Sequence, residues 1–344
     1  MTLTELSYYF RKFLPYFVLF SLIFLIFFYS IKLTLIYLKS NQESVVETKL
    51  IFGKIISPPE IPQSIASVGF KFTLDTIEGA PVTATETAKI FFLPKFNPRF
   101  GYSEKIYLIA KSFGFDTTVV RHQLDDKIAS FIDNEKTLKI DISNFNFEFD
   151  RKINGALLTN FELNIPSEIE IQNKAIDFLK KIGRYPDELA KGSTKVTYLK
   201  YNIGNENFIN VERPDMAQLV EVDFQRPGID NFDAVTPRFF TSQNYVIMLF
   251  EGKDYTIIKS QVAFFEKSDD QVGIYPIKTG DQAWAELNNG HGMVVAGTKD
   301  QKNIVIKSMK LGYLDPDIYQ NYLQPVYVFL GEENFAAYVP AVKE

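Results

Sequence analysis

Residues 13–31 of this 344-residue chain read FLPYFVLFSLIFLIFFYSI and contain no charged side chain. Lys32 interrupts the run, and apolar residues then continue to Leu38. A bilayer core of about 30 Å requires roughly 20 apolar residues in a helix, at about 1.5 Å per residue. Because soluble helices are rarely apolar on every side, the stretch predicts a transmembrane helix over residues 13–38.

The sequence around this helix favours an uncleaved signal-anchor over a cleaved signal peptide. A signal peptide has an apolar region of about 7–15 residues followed by small residues at the cleavage site. Here the apolar run is longer, and the sequence YLKSNQES that ends it offers no such site. Positive charges are nearly balanced, with Arg11 and Lys12 before the helix and Lys32 and Lys39 at its end. We expect residues 1–12 to be a short cytoplasmic tail, and the C-terminal part to lie outside the cytoplasmic membrane of a bacterium.

Composition excludes several classes of protein. The chain has no cysteine, which excludes disulfide frameworks, thiolate zinc sites and cysteine nucleophiles. The net charge of −5 argues against a nucleic-acid partner, because phosphates require a basic surface. Aromatic residues make up 15% of the chain, and seven of its 32 phenylalanines lie between Phe10 and Phe28, at the predicted anchor. The remaining phenylalanines are spread along alternating, strand-like segments, so the aromatic content indicates an anchor and a β-rich core.

A proline-containing stretch follows the predicted membrane helix. Residues 39–69 include SPPEIPQS, in which Pro58, Pro59 and Pro62 favour extended backbone. We interpret the stretch as a stalk between the membrane and a folded domain. The alternative, a Pro-x-x-Pro ligand, depends only on the spacing of Pro59 and Pro62.

Three later segments have helix signals, and each ends at a glycine. They are SEKIYLIAKSFG with Ser103 as its N-cap candidate, SEIEIQNKAIDFLKKIG with Ser167, and TGDQAWAELNNG with Thr279 or Asp281. Strand-like pairs with alternating apolar residues follow each of them, among them YVIMLF with YTIIKSQVAFF and PVYVFL with FAAYVPAV. The pattern predicts an α+β ectodomain of two or three modules, each a helix with an antiparallel sheet. We place these modules at residues 70–160, 161–270 and 271–344.

No motif in the chain carries recognisable catalytic or metal-binding chemistry. His122 and His291 belong to no H-E-x-x-H pattern or other spaced pair, and a surface or turn position is the simpler interpretation of both. Asp315-Pro316-Asp317 superficially suggests calcium, but the ligand spacing of an EF-hand loop is missing, and a solvated turn is expected. The sequence therefore predicts no catalytic, metal or cofactor-binding residue and a protein that is not an enzyme.

Tyrosines near the C-terminus provide the candidate interaction surface. Tyrosines at a sheet edge could receive a partner strand, although packing in a core with only the hydroxyl at the surface is the competing interpretation. A long connection at residues 226–240, with apolar residues that look exposed, is a second candidate contact surface. The candidate tyrosines are Tyr313, Tyr319, Tyr322, Tyr327 and Tyr338.

The C-terminal part of the chain resembles a known family. The stretches DQAWAELNNGHG, IVIKSMKLGYLD, YLQPVYVFLG and AAYVPAV resemble the helix-and-sheet units of PepSY-like domains. The layout is similar to that of YycH/YycI-type membrane-anchored regulators of bacterial two-component systems. This resemblance covers about residues 275–344 and implies a non-enzymatic regulator that contacts another membrane protein or a peptide. A structural component of a division or secretion complex, and an envelope hydrolase or ligand-binding protein that uses scattered carboxylates, remain alternatives.

Overall fold

The computed structural model describes residues 3–40, 48–54, 57–98, 100–153, 165–251, 254–297 and 302–343. The chain separates into two units, Met1–Glu47 and Thr48–Glu344. The first unit contains helix α1 (Leu3–Ser40). Every residue of α1 from Phe13 to Thr34 is exposed, and the mean hydropathy of this segment is 2.3. A helix that exposes apolar side chains on all sides over 22 residues has the length and composition of a membrane span.

The second unit is rich in strands. Its helices are α2 (Tyr102–Ser112), α3 (Glu168–Lys181), α4 (Asp187–Ala190) and α5 (Gly280–Asn288). Its strands are β1 (Ile65–Ala66), β2 (Lys71–Leu74), β3 (Thr87–Phe92), β4 (Gln123–Asp125), β5 (Ile128–Ile132), β6 (Lys136–Asp141), β7 (Phe147–Arg151), β8 (Ser193–Asn202), β9 (Asn207–Val211), β10 (Leu219–Gln225), β11 (Asp233–Val235), β12 (Tyr245–Glu251), β13 (Asp254–Val262), β14 (Val272–Pro276), β15 (Met293–Ala296), β16 (Asn303–Leu314), β17 (Tyr322–Leu323), β18 (Pro325–Gly331) and β19 (Ala336–Pro340). The predicted α+β class, with one N-terminal span before a sheet-rich domain, is confirmed.

Nine strands form one antiparallel sheet in the order β4-β5-β6-β7-β13-β12-β10-β8-β9. Two successive helix-then-strand segments build it, α2 with β4 to β7, and α3 with β8, β9, β10, β12 and β13. Pairing of β7 with β13, from Phe147 opposite Val262 to Asp150 opposite Lys259, joins the two halves. The predicted hairpin of β12 and β13 is confirmed.

Helices α2 and α3 both pack on the same face of this nine-stranded sheet. Alternation along β10 directs Val220, Val222 and Phe224 into the core beneath the helices, where they meet apolar residues of both helices. The helix residues in this core are Ile106, Ile109, Ala110, Ile171, Ala175, Phe178 and Leu179. Period-two strands with one face under helices are what the sequence pattern predicted.

Local capping explains where the helices begin. Ser167 caps α3 by accepting from the backbone N–H of Glu170, and Thr279 forms a capping box with Gln282 at the start of α5. Both caps confirm the sequence interpretation. The prediction for α2 is wrong, because Ser103 lies inside the helix and Gly101, with φ of 81°, is the N-cap.

A second sheet contains the C-terminal part of the chain. Its order is β1-β15-β19-β18-β16-β11, and β2 pairs in parallel with the first half of β16. Helix α5 packs against it through Ala283 and Leu287, and the predicted hairpin of β18 and β19 is confirmed. A third sheet, in the order β14-β3-β17, is antiparallel.

The pairing corrects two parts of the predicted domain organisation. The proline-containing stretch is not a free stalk over its described residues from 48 onward, because Lys49 bridges to Ile274, Ile61 is buried and β1 pairs with β15. Strands β2 and β3 lie within the predicted first module but pair with β16, β14 and β17. The physical reason is that these strands complete their hydrogen bonds with partners about 200 residues away, which local patterns do not reveal.

The nine-stranded and seven-stranded sheets meet at a buried charge network centred on Arg226, which follows β10. Its Nε donates to Asp315 Oδ1 at 2.8 Å, Nη1 donates to Glu188 Oε1 at 2.5 Å, and Nη2 donates to the Phe265 carbonyl at 2.6 Å. Gln243 Nε2 completes the network with a 2.8 Å hydrogen bond to Asp315 Oδ2. Burial disfavours the charged guanidinium, but the two carboxylates outweigh it and raise the pKa of Arg226.

We expect Asp315→Ala to destabilise the second unit strongly, because it leaves a buried guanidinium without its best partner. The expected loss is roughly 3–5 kcal/mol in the free energy of unfolding. Urea unfolding of the full-length protein in detergent micelles, followed by fluorescence, measures it. Asp125→Ala, at an exposed position of β4, is the matched control and should change stability by no more than about 0.5 kcal/mol. Equal effects of the two substitutions would contradict this role of the network.

Candidate functional site

The structure places three of the five candidate tyrosines in the core. Tyr313, Tyr327 and Tyr338 are fully buried. Each donates its hydroxyl hydrogen to a backbone carbonyl: that of Lys89 at 3.0 Å, Lys278 at 2.7 Å and Thr236 at 2.8 Å, respectively. Their side chains therefore do not offer a contact surface in this fold, and the core-packing interpretation holds for them.

The other two candidate tyrosines are half-buried and pack in different clusters. Tyr319 packs against Phe265 and donates to the Leu93 carbonyl at 2.9 Å. Tyr322 lies on β17, at an edge of the three-stranded sheet, and its ring centroid is 4.9 Å from that of Phe52. The five tyrosines are thus distributed over several packing clusters, and a shared tyrosine surface is not formed.

Residues 226–240 and the Asp315 turn also differ from the sequence interpretation. Arg226 and Ile229 are buried, and β11 pairs in parallel with β16, so much of this connection belongs to the junction between sheets. Phe240 remains 40% exposed. Asp315 is 1% exposed and bound to Arg226, so the expected solvated turn is wrong at that residue. Buried charge of this kind leaves no local sequence signal.

The two histidines do not form a site in the described ranges. His122 Nδ1 lies 3.1 Å from the Tyr107 hydroxyl, and the His122 ring packs against the rings of Tyr102, Tyr107 and Phe131. His291 is exposed after α5. Within the part of the chain that the structure describes, no group of three or more His, Asp or Glu side chains could hold a metal ion.

An open sheet edge is the strongest candidate for a protein contact. Strand β9 has the sequence NFINV, ends the nine-stranded sheet and, among the described residues, pairs only with β8. Its Ile209 is 45% exposed. Ile203 and Met216, in the connections before and after β9, are also exposed. An uncharged five-residue edge with exposed apolar side chains is a template for adding a strand.

The opposite edge of the same sheet is better protected. Strand β4 has only three residues, QLD, and Asp125 and Asp126 place charge at its end. Short, charged edges disfavour strand addition. The sequence contains little signal for β9 as an edge, because the segment NFINV is only five residues long and its apolar residues do not alternate.

The face of β10 opposite α2 and α3 carries an acidic pair that is not among the residues predicted from the sequence. Glu221 and Asp223 lie two residues apart, so they point to the face opposite α2 and α3, and their side chains hydrogen-bond to each other. Leu219 and Ile247 pack on the same face. The alternation in QLVEVDF was the available signal, because acids at i and i+2 of a strand share a face.

Burial raises the pKa of both carboxyl groups in this acidic pair. Burial, followed by the charge of Asp223, raises the pKa of Glu221 to about 7. Burial also raises the pKa of Asp223 to about 6, against the hydrogen bond from the Ser242 backbone N–H and the charge of Lys195. Two carboxyl groups in contact cannot both ionise easily, so the pair binds protons at a higher pH than two separate carboxyl groups would.

Comparisons with known proteins give only distant matches. No protein-family model and no curated protein matches the chain. A crystal structure of an uncharacterized protein from Eubacterium rectale is similar at 12% identity, covering 80% of this chain and 90% of that one, with a TM-score of 0.35. YycH from Bacillus subtilis is similar at 10% identity, covering 75% of this chain and 56% of its own, with a TM-score of 0.32. Sequence identities and TM-scores this low do not support an argument about function. The resemblance to PepSY-like domains therefore stays a prediction.

The acidic pair predicts a pH dependence of stability. The pKa of Glu221 in the folded state lies above its ordinary value of 4.5, so the folded state keeps a proton that the unfolded chain loses between about pH 4.5 and 7. Stability therefore falls as pH rises through this window. Glu221→Gln should raise the free energy of unfolding by roughly 1–3 kcal/mol at pH 8 and by much less at pH 5. Urea unfolding at the two pH values measures this difference.

Glu212→Gln, at an exposed position after β9, is the control for this pH experiment. It should leave the stability nearly unchanged at both pH values. If Glu221→Gln changed stability equally at pH 5 and pH 8, the pair would not be the titrating group.

Proposed function

We propose that the chain is a single-pass membrane protein whose second unit lies outside the cytoplasm of a bacterium and acts by protein contact, without catalysis, as a regulator in the cell envelope. The open β9 edge is the observation that carries the proposal. An extended segment of a membrane-protein or peptide partner would pair with this edge and extend the nine-stranded sheet. Helix α1 supports the membrane location, because its residues from Phe13 to Thr34 are exposed and, apart from Lys32, uncharged.

Strand addition suits a recognition function for a physical reason. The backbone of an edge strand offers unpaired N–H and C=O groups, which supply affinity, while neighbouring side chains such as Ile209 supply selectivity. Glu206 and Glu212 flank β9 and add negative charge beside the edge. A partner strand with basic residues at its ends would match this arrangement.

Photocrosslinking in native membranes tests the contact at β9. A photoreactive amino acid at Asn207 should crosslink a specific second protein, and Ile209→Lys in the same chain should abolish that product, because a lysine on an edge strand opposes pairing. Ile169→Lys is the matched control at an isoleucine that is 72% exposed on α3, and it should leave the product unchanged.

The identity of the crosslinked protein separates the alternatives. A sensor kinase would support the regulatory role, and a division or secretion component would support the structural one. Products that contain only this chain, or a product insensitive to Ile209→Lys, would contradict the proposal. The hydrolase alternative predicts a loss of phenotype on substituting one carboxylate with the fold intact.

Protease treatment tests the orientation. With the second unit outside the cytoplasm, protease added to intact spheroplasts should digest a tag at the C-terminus and leave a tag at the N-terminus protected. Lysed spheroplasts are the control and should lose both tags. Protection of the C-terminal tag in intact spheroplasts, with its loss after lysis, would reverse the orientation.

A further inference from the structure

A cleft opens where the nine-stranded sheet meets the loops near the three-stranded sheet. Its volume is about 420 Å³, within the roughly 300–1,000 Å³ of small-molecule sites. The connection after β3, the β4–β5 and β6–β7 turns, the segment after β13 and Tyr319 line it. Arg184, which follows α3, lines it as well.

Local geometry at the end of α3 directs Arg184 inward. Gly183 has φ of 64°, a conformation that glycine adopts without strain, and the Arg184 N–H donates to the Leu179 carbonyl at 2.8 Å. An apolar residue usually follows such a glycine. Here an arginine occupies the position, and only 9% of it is exposed.

The guanidinium of Arg184 lacks the partners that a buried charge normally has. Within the described ranges its Nη2 donates to Asn146 Oδ1 at 2.5 Å, its Nε has no hydrogen-bond acceptor, and no carboxylate lies within salt-bridge distance. The amide nitrogen Nδ2 of Asn146 is also buried without an acceptor. Burial lowers the pKa of Arg184 to about 10, against the charges of Glu266 and Asp141, so the group stays cationic at neutral pH.

The acids near Arg184 do not neutralise it directly. The Asp141 carboxylate accepts from the Ser143 N–H at 2.8 Å, the Ser143 hydroxyl and Asn144 Nδ2, so its oxygens are already used by its own turn. Glu266 is exposed and acts on Arg184 only through its charge. Arg184 lines the cleft, so the unsatisfied Nε donor of this buried cation points to an acceptor from outside the chain.

The wall of the cleft is partly aromatic. Phe145 lines it with φ of 61°, a conformation that is unfavourable for a bulky residue and that clusters at ligand sites. Lys95 lies over the Tyr319 ring at 5.2 Å and adds positive charge at the rim. The site thus combines one buried planar cation with aromatic surface.

We propose that this cleft binds a small organic carboxylate that carries an aromatic or other apolar group. A carboxylate matches the planar fork of arginine in two parallel hydrogen bonds. The lining of the cleft has four cations (Lys95, Lys105, Lys127 and Arg184) and three carboxylates (Asp126, Asp141 and Glu266), so one negative charge balances it better than a phosphate dianion would. This inference does not depend on a contact at β9.

Calorimetric titration of the full-length protein in detergent micelles with 3-phenylpropionate tests the site, with empty micelles as the blank. We expect a Kd of roughly 1 mM or below for a ligand of this size. The uncharged analogue 3-phenylpropionamide should bind at least roughly tenfold more weakly, because it lacks the carboxylate. Phenyl phosphate should also bind more weakly than the carboxylate.

Two variants should move the affinity in opposite directions. Arg184→Gln should weaken binding of 3-phenylpropionate by roughly tenfold or more, because it removes the charged donor. Glu266→Gln should strengthen binding several-fold, because it removes the competing negative charge. In the unmodified chain, the Nε resonance of Arg184 should shift on titration, which keeps the test valid if Arg184→Gln fails to fold.

Three results would overturn the assignment. They are no binding at roughly 10 mM probe, equal binding of acid and amide, and an Arg184 Nε resonance that does not move while Glu266→Gln leaves the affinity unchanged. Tighter binding of phenyl phosphate would overturn the choice of a carboxylate.

Discussion

The ion-pair network around Arg226 is the constraint on which the rest of the second unit depends. It takes a carboxylate from the end of β16, another from α4 and a carbonyl that follows β13, so one guanidinium holds elements of the nine-stranded and seven-stranded sheets together. A buried charge is tolerated only when its partners are in place, because desolvation alone would be unfavourable by several kcal/mol. The network therefore forms only when these elements of the two sheets come together.

The same sheets explain where functional surfaces can arise. Helices α2 and α3 cover one face of the nine-stranded sheet, and the other face carries the Glu221–Asp223 pair among apolar neighbours. The two proposed binding sites lie where regular pairing stops. One is the β9 edge, with backbone groups available to a further strand, and the other is the loop-lined cleft beside Arg184, whose Nε has no acceptor among the described residues. The two sites differ in chemistry because an edge presents backbone and a cleft presents side chains.

Much of the local structure could be predicted from sequence. The apolar run of α1, the caps at Ser167 and Thr279, and the hairpins of β12–β13 and β18–β19 each depend on residues within one short stretch. The predicted tyrosine surface is not formed, because the burial of these side chains depends on segments that are distant in the sequence. Period-two alternation tells which residues share a face of a strand, but the covering of that face is set by distant segments. Tyr327 and Tyr338 lie on faces that are buried by packing from elsewhere in the chain.

The sequence by itself determined the membrane helix, the α+β class and the ends of two helices, because these follow from hydrophobicity and from hydrogen bonds between near neighbours. Only the tertiary structure decided that residues from 48 onward join the folded unit, that β2 and β3 pair across some 200 residues, and that Asp315 and Arg184 are buried. Long-range pairing and burial depend on which distant segments pack against one another. Local patterns in a single sequence do not show which segments these are.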